Sequence, residues 1–254
     1  MTLRKILITL SLVLSLAIHA SGTTLGNEAL SYKVMFKWGL IQKQAGRGIL
    51  YLRDDGNRFV STLYTRSEPW ADRFYKVRDT LTTIMSKPDM LPVKYERIAH
   101  EGGKYSHDIV NFTKKGNLVL GDCHRYRRGK KDTQTTYANM ALQAEGVTVD
   151  MLSSFYYLRT LDFKSLEPGS QKTINIFSGK RKELLKITYH GVTSLKFDKK
   201  KYNAYYVTFT FTSDGKKETS DPIQAWISAD SRLIPLKLIG KLKVGSIQIY
   251  YTGK

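Results

Sequence analysis

SYKVMFKW, residues 31–38, alternates strictly: Tyr32, Val34, Phe36 and Trp38 fall on one face, Lys33 and Lys37 on the other. Successive side chains of a strand point to opposite faces, so this period of two reads as a half-buried β-strand. NAYYVTFTF, residues 203–211, repeats the pattern, with Tyr205, Val207, Phe209 and Phe211 opposite Tyr206, Thr208 and Thr210. Outward from these runs lie DDGN (54–57), EGGK (101–104), KKGN (114–117) and SDGK (213–216), each with a glycine able to adopt the positive φ of a tight hairpin. Runs and turns at this rhythm describe an antiparallel meander. No Pro/Ser/Gly-rich linker divides it, so residues 31–254 read as a single β-rich domain after a short N-terminal linker, 21–30. A sheet of roughly ten or more strands curls or closes, because a flat one leaves long edges exposed.

Two segments break the β pattern. In DMLSSFYYLRTLDF (150–163), Leu158, Met151, Phe155, Leu152 and Tyr156 form one arc at helical spacing, Asp150 is a good N-cap, and Pro168-Gly169 closes the segment. SEPWADRFY (67–75) is a second, shorter candidate, with Pro69 in the first turn and Trp70 and Phe74 on one side. The expected fold is therefore mainly β: a strongly curved antiparallel sheet or incomplete β-barrel wrapped around one or two short helices, chiefly a helix over 150–161.

Arg159 falls inside the apolar arc. A buried guanidinium must find an anion or snorkel out to water. Asp79, Asp72 and Glu68 are the candidate partners for a structural ion pair. An anionic ligand head is the alternative, suited to the planar fork of arginine.

The first twenty residues read differently. MTLRK is a basic head, ILITLSLVLSLAI (6–18) is an apolar run shorter than a membrane span, and Ala20-Ser21-Gly22 offers small residues for cleavage. Residues 1–20 are thus expected to be a signal peptide directing the chain to the periplasm; an uncleaved anchor is the alternative. The chain carries 41 Lys+Arg against 22 Asp+Glu, a formal net charge of +19, which favours anionic partners such as lipid headgroups or acidic proteins. An exported chain is not expected to meet nucleic acid. Cys123 is the single cysteine, so no intrachain disulfide can form.

Three stretches, FYKVRDTL (74–81), DMLSSFYYLR (150–159) and WISADSRLIPLKLIGKLKVGSIQIYY (226–251), together resemble the exported bacterial family known as domain of unknown function 3108, over roughly residue 31 onward. That resemblance implies no chemistry. The Trp-Ile-x-x-Asp-x-x-Leu-Ile-Pro-Leu-Lys pattern at 226–237 is similar to a strand-turn-strand of LolA/LolB-type periplasmic lipoprotein carriers. This weaker likeness implies a half-barrel holding acyl chains against internal helices, an analogy of fold and not of function.

Catalytic patterns are not visible. Cys123 and His124 are adjacent and on a strand point to opposite faces, and no G-x-S-x-G, H-E-x-x-H or Walker pattern occurs. His100 and His107 can share a face across a Gly102-Gly103 turn, but a third metal ligand is not identifiable. Neither enzyme activity, nor a metal, nor a cofactor is expected. CHRYRRGKKD (123–132) supplies a basic patch of Arg125, Arg127, Arg128, Lys130 and Lys131 for anionic surfaces. Paired aromatics such as Tyr156-Tyr157 place one ring on either side of an element. The expected function is a non-enzymatic cell-envelope protein, possessing a concavity that binds an amphipathic anionic ligand such as a lipid. Arg159 and Arg78 would meet the headgroup, and Phe155, Tyr156, Trp70 and Trp226 the apolar part. The alternative is an assembly or scaffold protein that recognises an envelope protein through a sheet edge or the basic patch, with a filled interior.

Overall fold

The computed structural model describes residues 25–197, 199–213 and 221–253. The expected signal peptide and the tip of the SDGK turn lie outside the described residues. Among those described, fifteen strands form one sheet. Its first half runs β1 (Glu28–Trp38), β2 (Ile41–Asp54), β3 (Arg58–Ser67), β4 (Val77–Ser86), β5 (Pro92–Glu101), β6 (Lys104–Lys115), β7 (Leu118–Arg128) and β8 (Thr136–Glu145). The second half runs β9 (Thr148–Val149), β10 (Gln171–Phe177), β11 (Lys182–Phe197), β12 (Lys200–Ser213), β13 (Ile223–Ser228), β14 (Pro235–Lys241) and β15 (Ser246–Tyr251). Helix α1 is Pro69–Tyr75, between β3 and β4, and α2 is Ser153–Leu158, after β9.

The first half is an antiparallel meander, and so is the second from β10 to β15, with β9 added parallel to β10 across the segment that holds α2. The halves join through β1 and β15, which pair antiparallel from Tyr32 with Tyr251 to Lys37 with Ser246. The sheet is thereby a nearly closed barrel, with β8 and β9 as its two edges. The expected hairpin turns are present, with Gly56, Gly102, Gly103 and Gly116 at positive φ. β1 begins at Glu28, so the strand takes in three residues of the segment read as linker.

The seam between the edges is packed rather than hydrogen-bonded along its length. Phe177, at the end of β10, is fully buried and stacks on Phe112 of β6 at 5.7 Å and 14°. Gly121 of β7 permits this, since a Cβ there would stand 2.6 Å from the Phe177 ring. The β10–β11 turn follows the same path, with Gly179 lying against Asp108 of β6. The end of β10 thus packs on the inner faces of β6 and β7.

Helix α2 fills part of that interior, as expected, but is shorter than 150–161. Asp150 does cap the segment, accepting from Leu152 N at 2.7 Å and Ser153 N at 2.8 Å, while Ser153 Oγ accepts from Asp150 N at 2.8 Å. That reciprocal pair makes residues 151 and 152 a turn before the helix. Bonds from Arg159 N to Tyr156 O and from Thr160 N to Tyr157 O tighten and end it. Met151 is consequently exposed and not part of the buried arc. Leu152 and Tyr156 pack with Leu30, Leu50, Met85 and Tyr95 from the first half of the sheet. Tyr157 and Leu158 pack with Ile174, Leu185, Val207 and Ala225 from the second. The helix therefore joins two cores, each buried Leu contributing about 1.5–3 kcal/mol.

Candidate functional site

Strand direction gives the barrel two unlike ends. One end gathers the β1–β2 turn, α1, the β5–β6 turn, the β7–β8 loop and the β14–β15 turn; the other gathers the start of β1 and the β13–β14 loop. Two cavities occupy the interior between them. The larger, about 850 Å³, opens at the α1 end and is lined by Phe36, Trp38 and Ile41, by Trp70 and Phe74 of α1, and by Val244. The smaller, about 300 Å³, lies between α2, through Leu152, Phe155 and Leu158, and strand residues such as Ile187, Phe209 and Ile249. Val34 and Thr65 line both, so the two cavities adjoin within the lumen. Their volumes fall within the range of about 300–1,000 Å³ usual for small-molecule sites.

The strand alternation makes this lumen apolar: Tyr32, Val34 and Phe36 of β1 face inward, as their period of two requires. Lys43 of β2, opposite Phe36, stands near the mouth, whereas Arg47 and Arg66 pair across the strands with Arg78 and share its outward face. Trp70 fixes α1 over the opening by donating from Nε1 to the Gln44 carbonyl at 2.6 Å, with Lys43 Nζ 4.7 Å from the ring centre. Phe74 meets Trp70 edge-on at 6.3 Å, the shared face expected of this helix.

Arg159 closes the other end. Its side chain is 1 % exposed, and it is a structural ion pair with Glu28. Arg159 Nη2 donates to Glu28 Oε2 at 3.1 Å, Nη1 donates to Oε1, and Nε and Nη2 donate to the Arg232 carbonyl at 3.1 and 2.9 Å. None of the three expected partners is involved. Asp79 is held by Arg97, Asp72 by Arg78, and Glu68 by Arg47. Arg159 does not line the lumen, and neither does Arg78, which lies on the outer wall.

The remaining expected residues divide. Phe155 and Trp70 line the lumen. Tyr156 is wholly buried behind it, its hydroxyl bonded to Ser61 Oγ at 2.9 Å. Trp226 is on the outer wall, stacked on Tyr206 at 5.1 Å with Lys237 above it at 5.0 Å, because its neighbours Ala225 and Ile227 take the inward positions. The basic patch also divides by parity. Arg125 and Arg127 turn inward onto buried Asp108, leaving Arg128 exposed at the end of β7 and Lys130 and Lys131 exposed on the β7–β8 loop.

Opposite the apolar lining, the inward faces of β4–β7 carry an ionic network: Arg97 Nη2 donates to Asp79 at 3.0 Å and to Glu101 at 2.8 Å. Burial first, and then the negative charge of neighbouring Glu101, push the Asp79 carboxyl up to about 6. The native state therefore binds a proton at Asp79 that the unfolded chain has already released. Stability from this group is complete below about pH 4 and lost as the pH rises through about 6. Asp79→Asn is expected to flatten that part of the stability profile, measured as urea midpoints between pH 4 and 7. An unchanged slope would assign the dependence to another group.

Cys123 and His124 do point to opposite faces: the thiol is buried, its pKa pushed up to about 11 by burial, while His124 bonds Asp122 and Asn139 outside. His100 faces Tyr105 across the turn, as expected, and His107 bonds Glu96 at 2.7 Å. Among the described residues no three His, Cys, Asp or Glu side chains are placed to hold a metal.

The chain is matched over residues 31–252 by the model of a family described as protein of unknown function, DUF3108. It belongs to the DUF3108 family. No curated protein matches it. Among solved structures, a β-barrel-like protein of domain of unknown function DUF1849 from Brucella abortus aligns with a TM-score of 0.59 at 10 % identity, covering 91 % of this chain and 98 % of that one. A putative lipoprotein from Parabacteroides distasonis aligns at 7 % identity, covering 91 % and 95 %, with a TM-score of 0.31. The first shares the barrel fold; the second is too distant in shape to support an argument.

In this DUF3108 barrel the three stretches that carry the resemblance all adjoin the lumen. Residues 74–81 run from α1 into β4, 150–159 hold α2 and Arg159, and 226–251 supply the Arg232 carbonyl and the β14–β15 turn. Sequence reasoning missed Glu28, which has no periodic relation to Arg159. It also missed the apolar residues of the WGLI (38–41) and LKVG (242–245) turns, whose signal was available as apolar side chains where turns are ordinarily polar.

Proposed function

We propose that this protein is a non-enzymatic component of the cell envelope that carries an amphipathic, anionic molecule, its apolar tail in the lumen and its head at the α1 end. The observation that carries this reading is the pair of adjoining apolar cavities, which share Val34 and Thr65, with Lys43 at the wider one. Lys43 replaces Arg159 and Arg78 as the headgroup contact. Export to the periplasm is part of the proposal and rests on the basic head and apolar run of residues 1–20. The scaffold alternative calls for a filled interior, which the lumen argues against.

The test is native mass spectrometry on the gently purified protein, beside Thr65→Trp, which places an indole where the cavities adjoin. An adduct of lipid mass on the parent, reduced at least roughly tenfold in the variant at an unchanged melting temperature, is the expected result. A clean apo mass, with no lipid recovered on extraction, would move the assignment to the scaffold reading.

A further inference from the structure

The open end of the barrel carries a second feature that the lumen does not require. Three separate turns there present large apolar side chains to solvent: Trp38, Leu40 and Ile41 between β1 and β2, Phe74 on α1, and Leu242 and Val244 between β14 and β15. Leu40 is 105 % exposed and Phe74 82 %, as far from burial as side chains become. All but Leu40 also line the larger cavity, so they ring one opening. The turns are held in place: Gly245 has φ +75, and a Cβ on it would stand 2.2 Å from the Lys37 carbonyl, which locks the β14–β15 turn beside the β1–β2 turn. Exposed apolar groups clustered in this way mark an interaction surface.

The charges around the ring indicate its partner. Lys37, Lys43, Arg73, Lys76 and Lys243 are exposed in the same three segments, and none of them forms an ion pair among the described residues. Lys241 reaches Asp221 only at 3.8 Å. Of the acids at this end, Glu68, Asp72 and Glu101 are engaged by Arg47, Arg78 and Arg97, and Asp132 accepts from Gly129 N at 2.8 Å. Arg128, Lys130 and Lys131 add further positive charge from the end of β7 and the β7–β8 loop. Two copies meeting through this end would bring like charges together, which disfavours a dimer. A bilayer with anionic headgroups satisfies both features at once: a flat apolar layer for three protrusions, under a negative surface for the cations around them.

We infer that the α1 end docks on an anionic phospholipid bilayer, with Trp38, Leu40, Phe74, Leu242 and Val244 entering the headgroup–acyl boundary. The opening of the lumen then faces the acyl chains directly. The inference concerns the rim and stands whether or not the lumen holds a ligand.

The experiment uses the full chain as purified from expressing cells, with vesicles of phosphatidylcholine alone or mixed with phosphatidylglycerol, their acyl chains brominated to quench tryptophan. Residues 1–24 contain no tryptophan, so the quenching reports on Trp38, Trp70 and Trp226 alone. Quenching is expected with the anionic vesicles and at least roughly tenfold weaker apparent binding with the neutral ones. Trp38→Leu should remove most of the quenching. The pair Leu40→Asp with Val244→Asp should weaken binding at least roughly tenfold, with melting temperature retained because these side chains are exposed. Lys37→Glu with Lys43→Glu should weaken binding to anionic vesicles alone. No quenching, or quenching that survives Leu40→Asp with Val244→Asp, would overturn the inference. Equal binding to neutral vesicles would overturn its electrostatic half. A dimer that the same aspartate pair dissolves would instead assign the rim to a second copy of the chain.

Discussion

Arg159→Met is expected to lower the stability of the barrel by about 3 kcal/mol, roughly 6–12 °C in melting temperature for a chain of this size. The guanidinium is almost wholly buried, and it satisfies both oxygens of Glu28 and the Arg232 carbonyl. Methionine retains the bulk but leaves a carboxylate and a carbonyl without donors. Glu28 is 20 % exposed and can recover part of its hydration, which places the figure at the lower end for a broken buried pair. Breaking the pair from the other side is informative. Glu28→Gln should also destabilise, and in the double variant the losses should be less than additive, with a coupling of about 2 kcal/mol measured by urea unfolding. Ligand loading per folded molecule should match the parent, because Arg159 does not line the lumen. A stable variant that fails to load would restore Arg159 as a ligand contact.

Phe177→Ala should cost as much or more, about 3–4 kcal/mol. The ring is fully buried, stacks on Phe112 and fills the space that Gly121 leaves open. It closes the gap between the two sheet edges, where backbone pairing does not run continuously. Its loss opens a cavity at the weakest line of the barrel, so local unfolding should begin there. Hydrogen exchange at Phe112, Gly121 and Asn175 should rise further than exchange in β1 and β15. Gly121→Val tests the same contact by crowding, at about 1–3 kcal/mol. If exchange rises evenly around the barrel, the seam is no weaker than the rest.

The carrier reading and the docking inference stand on the same end of the molecule but fail separately. A lumen without lipid leaves the rim intact, and a rim that ignores vesicles leaves the lumen to be filled by another route.

Much of this protein is determined by the sequence alone. Alternation at 31–38 and 203–211 sets which side chains face inward, since the strand period is two whatever the strand pairs with. Glycines in DDGN, EGGK and KKGN set the hairpins, because their φ values near +60 to +90° disfavour other residues. Asp150 as a cap, Pro69 at a first turn and the opposed faces of Cys123 and His124 are equally local, and all are found in the structure. Contacts between distant segments were decided by the tertiary structure. Glu28 meets Arg159 across 131 positions because closing β1 on β15 brings the start of β1 to the loop after β13. No periodicity spans that separation. Arg125 and Arg127 looked like surface charge, yet their parity on β7 turns them onto Asp108, and Trp226 is turned outward by the same rule on β13. The three apolar turns around the mouth are far apart in the chain and become one ring through barrel closure. Local preferences are written residue by residue, whereas the partners of a buried charge and the lining of a lumen depend on which strands the closed sheet makes neighbours.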